Sequence, residues 1–334
     1  MKEKGERQSK SSEMEFILNE MNLRVAMDEE KARRLVKKAR RKKEFFINQT
    51  TFVGDTKKIK GKQFQLLTEM VEIREGMFNG ISMPPYLRAV STVNRRNPVN
   101  LMIGHGLNSH VEGMPVHRHL SNWLDEVIRE VSSEGFSRLM SNIRINCARR
   151  ARKMEREIER AIESYGRVLI VRLDLFYQDK DSSVSRISPD IEKLRRNMLH
   201  NKSLSKGFIK AFVKLEFGIA KGAHAHLILL YDGNQRWRDD VIGDRVGEYW
   251  AGVVTRGDGG FYNTNRHSVK SRLSACMGVP MDCLAVGMHK RGDNKKRNNL
   301  IALVNYIAKE EQRLIAGFGG RSRSFRAFSN SSMR

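Results

Sequence analysis

Three segments of this chain alternate with a period of two, and together they restrict the fold more than anything else in it. Residues 168–177 read Val-Leu-Ile-Val-Arg-Leu-Asp-Leu-Phe-Tyr. On a strand this puts Leu169, Val171, Leu173 and Leu175 on one face and Arg172 and Asp174 on the other. Residues 207–217 repeat the pattern, with Ile209, Ala211, Val213, Leu215 and Phe217 on an apolar face. Phe208, Lys210, Phe212, Lys214 and Glu216 form the opposite one. The third segment opens His224-Ala225-His226 and continues Leu-Ile-Leu-Leu-Tyr. Strands that each offer one packed and one charge-bearing face suit an antiparallel sheet, covered by helices on one side and open to a ligand on the other. The turn Gly218-Ile219-Ala220-Lys221-Gly222 predicts a hairpin centred near Ala220, with Glu216 directly across from His224.

The remaining pattern is mainly helical. Trp123, Val127 and Val131, then Phe136, Leu139, Met140 and Ile143, recur at helical spacing. Residues 149–163 alternate charge signs in the manner of a solvent-exposed helix, and Gly166 ends the stretch. Pro189 opens a helix carrying Ile191, Leu194 and Leu199. Residues 241–253 read as a helix with Val246 and Trp250 packed, and 300–314 as a last helix before Gly317, Gly319 and Gly320 lead into a basic tail. The expected class is α+β, an antiparallel sheet with flanking helices behind a mostly helical basic N-terminal region. The expected organisation is an accessory region over 1–119, a main domain over 120–328 with its core at about 166–314, and a tail over 329–334.

The formal net charge is +24, which favours a polyanionic partner, most simply nucleic acid. Residues 31–43 hold nine basic side chains and no acidic one, with a weak stripe of Ala32, Leu35, Val36 and Ala39. They read as a basic helix or arm that could lie along a phosphate backbone. No apolar run approaches the roughly 18 residues needed to span a bilayer, so no membrane partner is expected. The charged opening Met1-Lys2-Glu3-Lys4 has no apolar leader core. Cys147, Cys276 and Cys283 are too scattered for a disulfide framework, which fits a reducing cytoplasm. His105, His110, His117 and His119 are irregularly spaced and read as loop or packing residues.

His224 and His226 project from one strand face, and two neighbouring imidazoles are half of a divalent-metal site. Glu216 completes a set suited to Mg²⁺ or Mn²⁺ with positions left for water and phosphate oxygens. Asp174 is either a rival third ligand or a partner that holds an imidazole in its tautomer. Tyr306 is followed one helical turn later by Lys309. A phenol ionises near pH ~10 and is a weak nucleophile at neutral pH. A metal, a base or a cation such as Lys309 would have to activate it. Lys290, Arg291, Lys295, Lys296 and Arg297 form a basic loop where DNA could be held, and Lys210 and Lys214 add charge to the sheet face. Trp237 and Phe261 are either base-stacking or core aromatics.

In their order along the chain these motifs resemble the HUH endonucleases, and within them the inovirus-type replication initiation proteins (the YagK/YfjJ-like group). The resemblance runs through Arg172-Leu173-Asp174, Glu216, Lys221-Gly222-Ala223-His224-Ala225-His226, Asp232-Gly233 and Ile242-Gly243. It continues through Gly247-Glu248-Tyr249-Trp250, Gly259-Gly260-Phe261-Tyr262-Asn263, Asn305-Tyr306-Ile307-Ala308-Lys309 and Arg323-Ser324-Phe325-Arg326. It covers roughly residues 120–328 and implies a ferredoxin-like sheet. It also implies a metal on His224 and His226 and attachment of a single tyrosine, Tyr306, to a 5′-phosphate. The expected function is a rolling-circle initiator that nicks and rejoins single-stranded or hairpin origin DNA in a bacterial host, with host helicase or polymerase as further partners. A mobilisation relaxase or transposase would use the same chemistry. A nuclease acting through water would leave no adduct, and a nucleic-acid-binding regulator would need none of it.

Overall fold

A computed structural model describes residues 29–37, 39–40, 46–51, 54–59, 67, 69–71, 84–99, 108–178, 183–218, 222–308 and 325–329. The chain divides into two compact units between residues 143 and 144.

In the unit over 24–143, β1 (Phe46–Thr51) and β2 (Gly54–Ile59) form an antiparallel hairpin. α1 (Pro85–Arg96) follows, then the short pair β3 (His110–Val111) and β4 (Met114–Pro115), and α2 (Val116–Val131), within which residue 119 lies. The basic run does form helix, at 29–37 and 39–40. It is not a free arm, however: Ala32, Leu35 and Val36 are buried. Lys31 pairs with Glu69, Arg33 with Glu29 and Arg34 with Glu30, at 2.5, 2.9 and 2.8 Å. Its weak apolar stripe was enough to dock it. Trp123 Nε1 donates to Asn94 Oδ1 at 2.8 Å, and Asn94 Nδ2 donates to the Met70 carbonyl at 2.8 Å. His119 bonds to the Val111 carbonyl at 2.9 Å, a packing role; His105 lies outside the described residues.

α3 (Glu134–Tyr165) carries the chain across the division. Gly166 ends it at φ +70°, a left-handed backbone that glycine adopts without a steric penalty. The second unit then runs β5 (Arg167–Tyr177), α4 (Ser183–His200), a single turn α5 (Lys202–Ser205), β6 (Phe208–Gly218) and β7 (Gly222–Asp232). α6 (Asp239–Tyr249), a π-turn at Trp250–Val254, β8 (Gly259–Asn263), α7 (His267–Met277) and β9 (Gly287–Lys290) follow. α8 (Arg297–Ala308) and β10 (Phe325–Ser329) complete it. The sheet is antiparallel with order β10-β6-β7-β5-β8, and β9 also pairs with β5.

Four expectations are corrected. The sheet is not open on one side. On the face of Leu173, Leu175 and Tyr177, the Tyr177 ring meets Trp250 edge-on and its hydroxyl donates to Asp190 of α4 at 2.7 Å. The other face carries the two histidines, and at its far end Val168, Ile170, Phe212, Ile228 and Leu230 are sealed by Met154 and Ile158 of α3 and Leu300, Leu303, Val304 and Ile307 of α8. Secondly, the ladder slips between Phe208 and Lys210. This extra residue sends Ile209 into the core beneath α3 and α8, while Phe208 meets Tyr231 on the opposite face. Thirdly, Pro189 lies inside α4 rather than opening it, and Met198 rather than Leu199 is fully buried. Fourthly, the tail contributes β10, which covers the β6 edge with Phe325 opposite Lys214.

Candidate metal centre

The hairpin register forms as the turn predicted, with Glu216 opposite His224 in β6–β7, and β5 adds Asp174 opposite His226. Period-two geometry then puts all four on one face. Glu216, His224, His226 and Asp174 are all buried, with exposures between 3 and 7%. Burying this much charge is tolerable only if each group is paired.

The pairing fixes the chemistry of both rings. His224 Nδ1 stands 3.0 Å from the Gly222 carbonyl, which can only accept, so Nδ1 carries the proton. His226 Nδ1 donates to Asp174 Oδ1 at 2.7 Å. Asp174 therefore acts as the tautomer-holding partner rather than the third ligand. Both Nε2 atoms turn to one oxygen, Glu216 Oε2, at 3.1 Å from His226 and 3.6 Å from His224, the latter beyond hydrogen-bond length. The second oxygen, Oε1, is taken by Lys214. The three ligand atoms lie within 4.8 Å of one another. Atoms bound to one ion at about 2.1 Å and about 90–110° are about 3.0–3.4 Å apart, so this donor set fits a divalent metal. Among the described residues it is the one His/Cys/Asp/Glu group that does so.

Electrostatics bind the cluster together. Burial pushes the Glu216 carboxyl up. The two imidazoles turned to it, His226 at hydrogen-bond distance and His224 just beyond, with the charges of His226 and Lys214, outweigh it and hold the group well below the usual carboxylate range. Burial pushes His226 down, but the carboxylates of Asp174 and Glu216 prevail and raise it above the ordinary imidazole value. A metal entering here displaces that proton.

Tyr306 stands at the edge of the cluster. The contacts of Leu303, Val304 and Ile307 that seal the apolar end of the sheet also set its ring 5.8 Å from that of His226, edge-on, with the residue 46% exposed. The Arg172 guanidinium lies 5.1 Å from the Tyr306 ring centre and 3.5 Å from Asp174 Oδ1, and Arg172 Nε is buried with no hydrogen-bond partner. Arg172 is the residue that sequence reasoning left outside the site. Its signal was its position two residues before Asp174, on the same face. Tyr262, opposite Asp174 in β8, flanks the site and receives a hydrogen bond from Arg272 at 2.5 Å. Lys309 lies outside the described residues.

Several residues expected to contact DNA are paired within the fold. Lys214 is buried against Glu216, and Lys296 is buried, donating to the Val286 carbonyl at 3.2 Å. Lys210, Arg291 and Arg297 pair with Glu157, Glu163 and Glu159 of α3, at 2.9, 3.3 and 3.2 Å. The alternating charges of that helix thus bind to the sheet and to α8 as well as facing water. Lys290 and Lys295 are exposed. Phe261 packs over Gly247, where an added Cβ would meet its ring at 2.1 Å, whereas Trp237 is 72% exposed. No helix among the described residues is long and apolar enough to cross a membrane. No protein-family model, no curated protein and no solved structure matches the chain.

Proposed function

We propose that the chain is a metal-dependent DNA strand transferase that nicks and rejoins single-stranded origin DNA through Tyr306, as a rolling-circle replication initiator does. The observation that carries this is the convergence of two tautomer-fixed imidazoles and one carboxylate beside an exposed tyrosine. A structural histidine pair needs no carboxylate aimed at both rings, and a hydrolytic nuclease needs no tyrosine there. Glu216, His224 and His226 would hold Mg²⁺ or Mn²⁺, which supplies Lewis-acid polarisation of a scissile phosphate. Asp174 orients His226, and Lys214 holds the free oxygen of Glu216 so that the other faces the histidines.

In the reaction, Tyr306 Oη forms a bond to phosphorus, the P–O3′ bond breaks, and the 3′-oxygen leaves as a hydroxyl after taking up a proton. The phenolic proton passes to solvent. Arg172 lies over the ring, 5.1 Å from its centre, where its charge would meet the phosphate that approaches the tyrosine. The bond energy is kept in the phosphotyrosine, so rejoining needs no ATP. The +24 charge supports a nucleic-acid substrate. The HUH resemblance supports the reaction class.

The test is incubation with end-labelled single-stranded DNA from the element's own origin, with Mn²⁺ or Mg²⁺, followed by a denaturing gel. An adduct that survives denaturation, absent in Tyr306→Phe and with chelator, is the expected result. Cleavage without an adduct would replace the tyrosine with water. Binding with neither would leave a regulator.

A further inference from the structure

β7 begins with the metal ligands and ends at Asp232, about 20 Å away at roughly 3.3 Å per residue from His226. The loop that follows presents Trp237, at 72% exposure, whereas Trp123 and Trp250 are both 0% exposed. This loop is tightly built. Buried Asp232 accepts from the backbone and side chain of Asn234, both at 2.9 Å, and from Gln235 at 2.9 Å. Arg236 donates to the carbonyls of Lys206 and Ser203 at 3.1 and 2.7 Å. Gly233 sits so close that an added Cβ would meet Met288 Sδ at 2.6 Å and Arg167 Cβ at 2.9 Å. A large ring held out to water on a fixed frame is positioned for a partner, because its burial on binding costs little ordering entropy.

The surroundings are cationic. Arg236 anchors the loop to Lys206, which is exposed, and Arg167 and Lys290, also exposed, are paired opposite each other in β5 and β9 beside Gly233. We infer that this end of the sheet is a docking platform for single-stranded nucleic acid, in which an unpaired base stacks on Trp237 and the neighbouring phosphates meet Arg167, Lys206 and Lys290. An exposed aromatic ring on the same end of the sheet as exposed cations complements a strand that offers bases and phosphates together, and such stacking is tolerant of sequence. At about 3.4 Å per nucleotide, 20 Å is about six nucleotides. The stacked base would then lie several nucleotides along the strand from the bond cut. This spacing rests on the nicking proposal; the platform itself does not.

The experiment uses the full-length protein in chelator, with a deoxythymidine oligonucleotide of about 16 nucleotides. Because the other two tryptophans are buried, quenching of the exposed emission reports on Trp237. Saturable quenching by the single strand is expected, and Trp237→Ala should weaken binding of a labelled oligonucleotide by about 5- to 150-fold with its melting temperature unchanged. Equal affinity of variant and wild type, or binding without quenching, would overturn the platform and assign the ring to a protein partner. Quenching here, with no covalent adduct in the separate Mn²⁺ reaction on origin DNA, would sink the nicking proposal alone. An adduct with Trp237→Ala affinity unchanged would sink the platform alone.

Discussion

The face of the sheet that carries the histidines has two halves made by the same three strands. In one, Val168, Ile170, Phe212, Ile228 and Leu230 lie dry beneath α3 and α8. In the other, one step along each strand, Asp174, Lys214, Glu216, His224 and His226 are also buried but polar. The apolar half stabilises the fold by removing hydrocarbon from water. The charged half is held together by mutual pairing, and its Glu216, His224 and His226 could hold a metal ion. Burial alone therefore does not say what a region is for; the groups buried there do.

The largest expected effects should separate the halves. Phe212→Ala should cost about 3–5 kcal/mol in urea unfolding and leave metal affinity per folded molecule intact. Glu216→Ala should cost a similar ~3–5 kcal/mol, because it takes away the carboxylate that the buried Lys214 ammonium pairs with, and should abolish Mn²⁺ binding measured by calorimetry. Adding Lys214→Met should restore most of that stability and none of the binding. If Glu216→Ala proved neutral for stability and retained the metal, the charged half would not be the paired cluster described.

A pH titration of unfolding free energy sharpens the contrast through two buried histidines. His289, in β9, is pushed down to about 4, first by burial and then by the Lys296 charge. The unfolded state then binds the extra proton first, so stability falls as pH drops from about 6.5 to about 4, by up to ~3 kcal/mol. His226 runs the other way. Its folded value is raised, so its contribution is present below about 6.5 and is lost as pH rises through that raised value. Metal requires the deprotonated ring, so Mn²⁺-induced stabilisation should grow with pH over the same window. Removing His289 with His289→Gln should flatten only the acid limb.

Smaller effects concern the supporting residues. Asp174→Asn should weaken metal binding by about 10- to 100-fold in calorimetry while the fold persists. Arg172→Gln should leave metal binding unchanged and shift the melting temperature by no more than ~1 kcal/mol allows, yet slow adduct formation on origin DNA. A wild-type rate in that variant would remove Arg172 from the site.

Much of this was legible in the residues themselves. Alternation marked the three long strands, the short turn set Glu216 against His224, and helical spacing put Tyr306 on a helix. These are consequences of backbone geometry, which acts over a few residues and so leaves its mark in the sequence. The slip at Ile209, the choice of Asp174 as a partner for His226, the burial of Lys296 and the meeting of Arg172 with Tyr306 left no such mark. Each depends on which helix or strand arrives from far along the chain, and only close packing of the whole sheet decides that.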